Sequence, residues 1–326
     1  MPALVRSLTL CAAFLAGLAS LAGAQPAVKY PDKPVRFVLP YGPGGVADVT
    51  TRLIAQKLSE SMGQNFVIEN RPGAGGILAA KAVLATPADG YTLFLSGNAS
   101  AINESLFKAK PFNVLTDFTP VATLAEFEML LVTKADSPLG TVGKVVEYAN
   151  AHPGKLNFGT INLGSTQNLS AELFRMVTGA NVALVTYRTT PELVTAVIRG
   201  DVDVAFDYLA AFNPTITSNQ MKVIATSGDR PNPQLPGVPI VKDSGYPAYV
   251  VTSWNALSAP TGTPPEVVAK LSQAIQAVLK LPDVKARMAG LGMEPMLGTP
   301  EQLGERMRRD IEKWRAVIDK AGIPKQ

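Results

Sequence analysis

The first ninety or so residues after the N-terminus switch repeatedly between strand-like and helix-like hydrophobic periods, and that rhythm restricts the fold more than any other feature. "VRFVLP" (residues 35–40) has the length and β-branched content of a buried strand. A helical pattern follows over residues 46–62 and predicts burial of Val46, Val49, Leu53 and Leu58. "NFVIEN" reads as a second strand, "GGILAAKAVLATPADG" as a second helix ended by Pro87 and Gly90, and "YTLFLSG" as a third strand. Strand, helix, strand, helix, strand with short connections requires parallel pairing and an α/β layer.

The rhythm then repeats. "FEMLLVTKADSPL" reads as a long strand leading out, followed by "TVGKVVEYANAHPG" (helix), "KLNFGTI" (strand), "STQNLSAELFRMVTG" (helix), "VALVTYR" (strand), "PELVTAVIRG" (helix) and "VDVAFDY" (strand). A helix near residues 208–218 and the strand "KVIATSG" complete the second unit. "YVVTSWNALSAP" leads back as a strand. Leu303, Met307, Ile311, Trp314 and Ile318 then mark one apolar face of a C-terminal helix, a core stripe rather than a cofactor box. The expected architecture is two α/β lobes crossed by two extended segments, with a cleft between them. Lobe 1 is discontinuous (25–126 and 250–326), and lobe 2 covers 127–249.

The N-terminus bears on the compartment. Arg6, a run of Leu, Ala and Phe, and Ala22-Gly23-Ala24 have the order of a secretory signal peptide, residues 1–24, with a retained anchor as the alternative. Cleavage after Ala24 removes Cys11, the one cysteine, and the one histidine, His152, reads as a surface residue at a helix end. A zinc site or a Ser-His-Asp hydrolase then has little to be built from, and the chain reads as a non-enzyme without a cofactor. The net charge of +4 is scattered, and "ERMRRDIEKWRAVIDK" alternates acids with bases, so no nucleic acid is expected.

Four polar segments sit where parallel strands should meet helix starts: "YGPGG", "SGNASAIN", "GTINLGSTQN" and "TYRTTPEL". Each could be an ordinary well-capped loop. Together, on one cleft of an exported protein, they point to a small anionic ligand held by helix N-termini. Asp48, at the third helical position, is read as capping its own helix. Pro191 suits a first helical turn, with Thr190 as its N-cap. Asp207 follows the strand "VDVAF" and reads either as a partner for a ligand ammonium or N–H, or as a helix cap. Gly42, Gly44 and Ala47 also fit the G-x-G-x-x-A spacing of a dinucleotide site, with Glu69 near a ribose-binding position. That makes an NAD(P)-dependent oxidoreductase the rival, although Pro43 stiffens the turn and no dinucleotide is expected outside the cytoplasm.

The blocks "YPDKPVRFVLPYGPGGVADVTTRLIAQKL", "IENRPGAGGILAAKAVLATPADGYTL", "GDRPNPQLPGVPIVKDSGYP", "SWNALSAPTGTPPEVVAKL" and "PEQLGERMRRDIEKWRAVIDKAGI" resemble the substrate-binding subunits of tripartite tricarboxylate transporters, the Bug or TctC family. The resemblance implies a type II periplasmic-binding-protein fold that closes on a carboxylate in the periplasm and hands it to a two-component membrane permease. It implicates Tyr41, Gly44, Gly45, Val46 and Ala47, with Asp48 closing the helix start. From the second lobe it implicates Thr160, Ser165, Thr166, Gln167, Thr189 and Asp207. Selectivity is expected around Asn98, Tyr187, Thr189 and Asp207, for a dicarboxylate, an aromatic carboxylate or an amino acid, bound by a monomer. A sensing protein that signals to a membrane partner would use the same clamp. The sequence departs from the family pattern at Asn168, often His, at Thr189 and Thr190, often Gly and a small residue, and at "WNA", usually Trp-aromatic-Gly.

Overall fold

Parallel strands occur in two groups, as the alternation requires, and a computed structural model shows what joins them. It describes residues 29–326 apart from 111 and 162; the expected signal peptide and Cys11 lie outside the described residues. The chain separates into units Met1–Asp32 and Lys33–Gln326. Of the first, residues 29–32 are described and contain a cis Tyr30–Pro31 bond.

In the second unit, β1 (Val35–Leu39), α1 (Val46–Met62), β2 (Phe66–Asn70), α2 (Ile77–Leu84) and β3 (Thr92–Gly97) follow the expected order. β1 pairs in parallel with both β2 and β3. The second group is α4 (Val142–Ala151), β5 (Leu156–Ile161), α5 (Thr166–Thr178), β6 (Val182–Tyr187), α6 (Thr190–Arg199), β7 (Val204–Tyr208), α7 (Leu209–Thr217) and β8 (Met221–Thr226). Here β5 pairs in parallel with β6 and β7. Two antiparallel strands connect the groups: β4 (Phe118–Lys134) and β9 (Thr252–Pro260). The sheet order is β2-β1-β3-β9-β4-β7-β5-β6, with β8 and β10 (Glu294–Pro295) also on β4. β4 pairs with β9 from Phe118 to Glu128 and with β7 and β8 from Met129 onward, so one strand belongs to both halves of the sheet. α8 (Pro265–Leu279), α9 (Pro282–Ala289) and α10 (Pro300–Ala321) supply the C-terminal helices.

The α10 stripe is buried throughout at Leu303, Met307, Ile311, Trp314 and Ile318. Trp314 donates its indole N–H to Asn98 Oδ1 at 2.7 Å, and Trp254 donates to Asp310 Oδ2 at 2.7 Å, so both buried indoles are satisfied. His152 caps the end of α4, exposed, its ring stacked on Tyr148.

Three expectations are corrected. In α1 the buried face carries Ala47, Asp48, Thr50, Thr51, Ile54, Ala55 and Leu58, while Val46, Val49 and Leu53 are only half-buried. Thr50 and Thr51 fold their hydroxyls onto the carbonyls of Val46 and Ala47, which lets small polar side chains take core positions. "SGNASAIN" is not a loop: β3 ends at Gly97 and helix α3 (Asn98–Leu106) begins at the next residue. A Cβ on Gly97 would lie 2.5 Å from the Trp254 carbonyl oxygen, so only glycine fits this direct strand-to-helix junction. The long strand begins at Phe118, nine residues before the expected Phe127, and two register shifts leave Val121 and Leu124 without a partner opposite on β9.

Candidate functional site

The carboxyl ends of β1, β3, β5 and β7 are followed by the segments that line a cavity of ≈ 570 Å³, the place where open α/β sheets present helix N-termini to ligands. After β1 come Tyr41, Gly44, Gly45, Val46 and Ala47; after β3, Ala99; after β5, Ser165, Thr166 and Gln167; and at β7, Asp207 and Tyr208. Thr190, Ala210 and Ala211 add two further helix starts, and Phe127, Ser253 and Asn255 come from the connecting strands. Among the described residues the lining contains no Lys, Arg or His, and Asp207 is its one carboxylate.

The start of α1 is one of the helix ends without a side-chain cap. Gly45 is its N-cap, in extended conformation and with no side chain to supply a cap. The first bond into the helix runs from Val49 N to Gly45 O, so geometry leaves the amides of Val46, Ala47 and Asp48 without intrahelical acceptors. Gly44 precedes it at φ +84, a left-handed conformation suited to glycine, with nothing within 4 Å of the Cβ it lacks.

Asp48 does not block those amides. Its Oδ2 accepts from Gly44 N and Arg52 Nε, both at 2.9 Å, and its Oδ1 accepts from Asn70 Nδ2 at 2.9 Å. The bond goes to Gly44, one residue before the N-cap, rather than closing a capping box on Gly45. Asn70 also donates to the Tyr41 carbonyl, which fixes the turn from its other side. Burial alone would raise the Asp48 carboxyl. The Arg52, Gly44 and Asn70 bonds outweigh it and hold the group below the usual carboxylate range.

Across the cavity the starts of α5 and α6 are closed by side-chain caps, whereas α7, with Tyr208 as its N-cap, has none. Ser165 Oγ accepts from Asn168 N and Asn168 Oδ1 accepts from Gly164 N, so α5 is capped by its own residues. In α6 the N-cap is Thr189, whose Oγ1 accepts from Glu192 N, and not Thr190 as expected. Pro191 sits one residue further in, and Thr190 is free to donate to Asp207 Oδ2 at 2.7 Å. Asp207 Oδ1 accepts from Gln167 Nε2 at 2.9 Å and Tyr208 N at 2.8 Å. None of these donors is charged, and burial raises the Asp207 carboxyl above its ordinary value despite them. Burial likewise pushes the Tyr41 phenol up to about 12, and raises Tyr208 further, so both remain protonated donors at neutral pH.

The expected residues therefore divide. Tyr41, Gly44, Gly45, Val46, Ala47, Ser165, Thr166, Gln167 and Asp207 line the cavity. Asp48 and Asn98 stand behind it: Asn98, buried, donates from Nδ2 to Thr166 Oγ1 and accepts from Trp314. Thr160 is buried against Asn168. Half-buried Tyr187 and exposed Thr189 are outside the lining. Glu69 is occupied by ion pairs with Arg36 and Arg71.

Sequence reasoning missed Ala99, Phe127, Ile161, Thr190, Tyr208, Ala210, Ala211, Ser253 and Asn255. For Ser253 and Asn255 the signal was available. They flank buried Trp254 in a strand, and with a period of two they share the face opposite it.

Residues 50–323 match the family described as the tripartite tricarboxylate transporter family receptor, TctC. Protein BugT of Bordetella pertussis is 32% identical over 321 residues, covering 98% of each chain. Among solved structures, R. palustris Rpa4515 with adipate is 33% identical with TM-score 0.81, over 90% of this chain and 99% of that one. MatC (Rpa3494) from Rhodopseudomonas palustris with bound malate is 30% identical with TM-score 0.76, over 89% and 100%. The structure of periplasmic binding protein BugD is 29% identical with TM-score 0.77, over 91% and 100%, so the mixed α/β fold is that of the TctC and Bug periplasmic binding proteins.

Proposed function

The chain belongs to the tripartite tricarboxylate transporter receptor family, and on that premise we propose that it is a monomeric periplasmic solute-binding protein for a small carboxylate. In this reading, residues 25–126 with 250–326 and residues 127–249 are two lobes that close on the solute. The closed form is what a two-component membrane permease recognises. Closure requires that the solute bind the closed state more tightly than the open one.

The observation that supports the carboxylate is the start of α1, where Val46 and Ala47, whose amides have no intrahelical acceptor, and the positive end of the helix dipole line a cavity with no basic side chain among its described lining residues. A carboxylate there is held by fixed dipoles, with the tyrosine phenols as further neutral donors. Adipate and malate, the solutes in the two related structures, are carboxylates of this size. The dinucleotide alternative is disfavoured by Glu69, which already pairs with two arginines.

Asp207 favours a second reading, an amino acid whose ammonium meets the one cleft carboxylate. Melting of the mature protein against adipate, malate, aspartate and NAD(P) tests these together. Binding at a hundredfold excess over Kd adds about 2.7 kcal/mol. A shift with a dicarboxylate supports the first reading, a shift with aspartate alone the second. A shift with NAD(P) and none with any carboxylate would sink both.

A further inference from the structure

Of the buried side-chain polar atoms that lack a hydrogen-bond partner among the described residues, one belongs to a residue lining the cavity described above: Asn255 Nδ2. Asn255 is 3% exposed. An amide N–H₂ left unpaired in a dry site costs roughly 1–3 kcal/mol, so such a donor is expected to have a partner that binds there.

Strand register aims it. Asn255 lies on β9 opposite both Gly97 and Ala125, while its neighbour Trp254 turns to the other face and donates to Asp310. β9 is bounded by β3 and β4 on its two edges, which holds the Asn255 backbone from both sides. Several of the other polar groups nearby are engaged. Thr166 Oγ1 accepts from Asn98 Nδ2, and Gln167 and Thr190 donate to Asp207. The amide is therefore a fixed donor without a protein acceptor, and the α1 amides form a separate acceptor-seeking group on the same cavity.

We propose that Asn255 is a specificity-determining residue: its side-chain N–H₂ donates to a second oxygen function of the solute whose first carboxylate sits at the start of α1. The ligand class is accordingly a carboxylate bearing another oxygen acceptor (a hydroxyl, carbonyl or second carboxylate), and plain alkyl carboxylates are discriminated against. This rests on the carboxylate reading above. A cleft built to hydrogen-bond an oxygen rejects the analogue lacking it strongly, because the donor is then left unpaired.

The test compares calorimetric affinities for malate, adipate and hexanoate in the wild type and in Asn255→Leu, a near-isosteric apolar change. The expected result is a fall of about tenfold or more in the ratio of malate and adipate affinity to hexanoate affinity, equivalent to ~1.4 kcal/mol. Unliganded N255L is expected to melt at or above the wild-type temperature, because an unpaired donor has been removed. A structural role for the amide predicts the opposite. Should N255L not fold, Asn255→Asp replaces the donor with an acceptor of the same shape, and the same ratio is expected to fall. An unchanged ratio in a folded variant overturns the proposal and leaves the carboxylate reading standing. If none of the three solutes binds the wild type, both fall.

Discussion

Asp207 accepts three neutral hydrogen bonds, and an asparagine can reproduce them, because the Thr190 hydroxyl can reverse and accept from a new N–H₂. Asp207→Asn is thus a test of charge with shape held constant. With a dicarboxylate the substitution should tighten binding several-fold, since it removes a like charge. With an amino acid it should weaken binding. The raised Asp207 carboxyl also gives a direction in pH. Its contribution to stability is complete below the unfolded value of about 3.9 and is lost as pH rises through the folded value. Melting curves of wild type and D207N should therefore show wild type at its relative best in acid. Dicarboxylate affinity of the wild type should rise as pH falls, with no such trend in D207N.

Asp48 has the opposite sign. Its carboxyl is held low, so its stabilisation is present above about pH 3.9 and is lost as pH falls through the folded value. The Arg52 bond is the largest of the lowering contributions, with those of Gly44 and Asn70 behind it, although Arg52 is 48% exposed and solvent screens the pair. Asp48→Asn should cost about 1–2 kcal/mol at neutral pH, with the difference from wild type closing in acid. A constant difference across pH would show that the carboxylate charge is not the cause.

At the scale of elements, the start of α1 and the α3–α5–α10 junction make separate predictions. Gly45 has φ −76 and open space around an added Cβ, so Gly45→Ala should fold normally while placing a methyl group on the cavity wall. The expected result is unchanged melting without solute and about tenfold weaker carboxylate binding, ~1.4 kcal/mol. Gly44→Ala differs, because φ +84 is strained for any residue with a Cβ and costs roughly 1–2 kcal/mol in stability. At the junction, Asn98→Ala leaves the buried Trp314 N–H without its acceptor, a loss of about 1–3 kcal/mol measurable by denaturant unfolding. Because Asn98 also holds Thr166 on the cavity wall, affinity should fall with stability in this variant, whereas G45A separates the two.

At the scale of the molecule, β4 and β9 run between the two parallel groups, and the proposed lobes would bend about them. Glu126 of β4 pairs with Arg306 of α10 at 2.5 Å, and Arg306 also donates to Thr252 of β9 at 2.9 Å, so the connecting strands are fastened to the C-terminal helix. Saturating solute should reduce the radius of gyration measured by small-angle scattering. A solute that binds without changing it would argue against lobe closure, while leaving the site intact.

Short-range periodicity was enough to read much of this protein. The alternation from "VRFVLP" to "YTLFLSG", the α10 stripe ending at Ile318, and the glycine turn at the start of α1 all follow from neighbours within a few residues. Their cause is the repeat of a strand or a helix, which local sequence records. The meeting of Asn255 and Ser253 with Asp207 and Tyr208 in one cavity had no such record. It arises because β9 inserts between β3 and β4, pairing residues more than a hundred positions apart. The same holds for the one-residue exchange of roles between Thr189 and Thr190, and for the rotated buried face of α1. Propensity decides that an element forms there, but the packing against its distant neighbours decides which of its side chains reach the site.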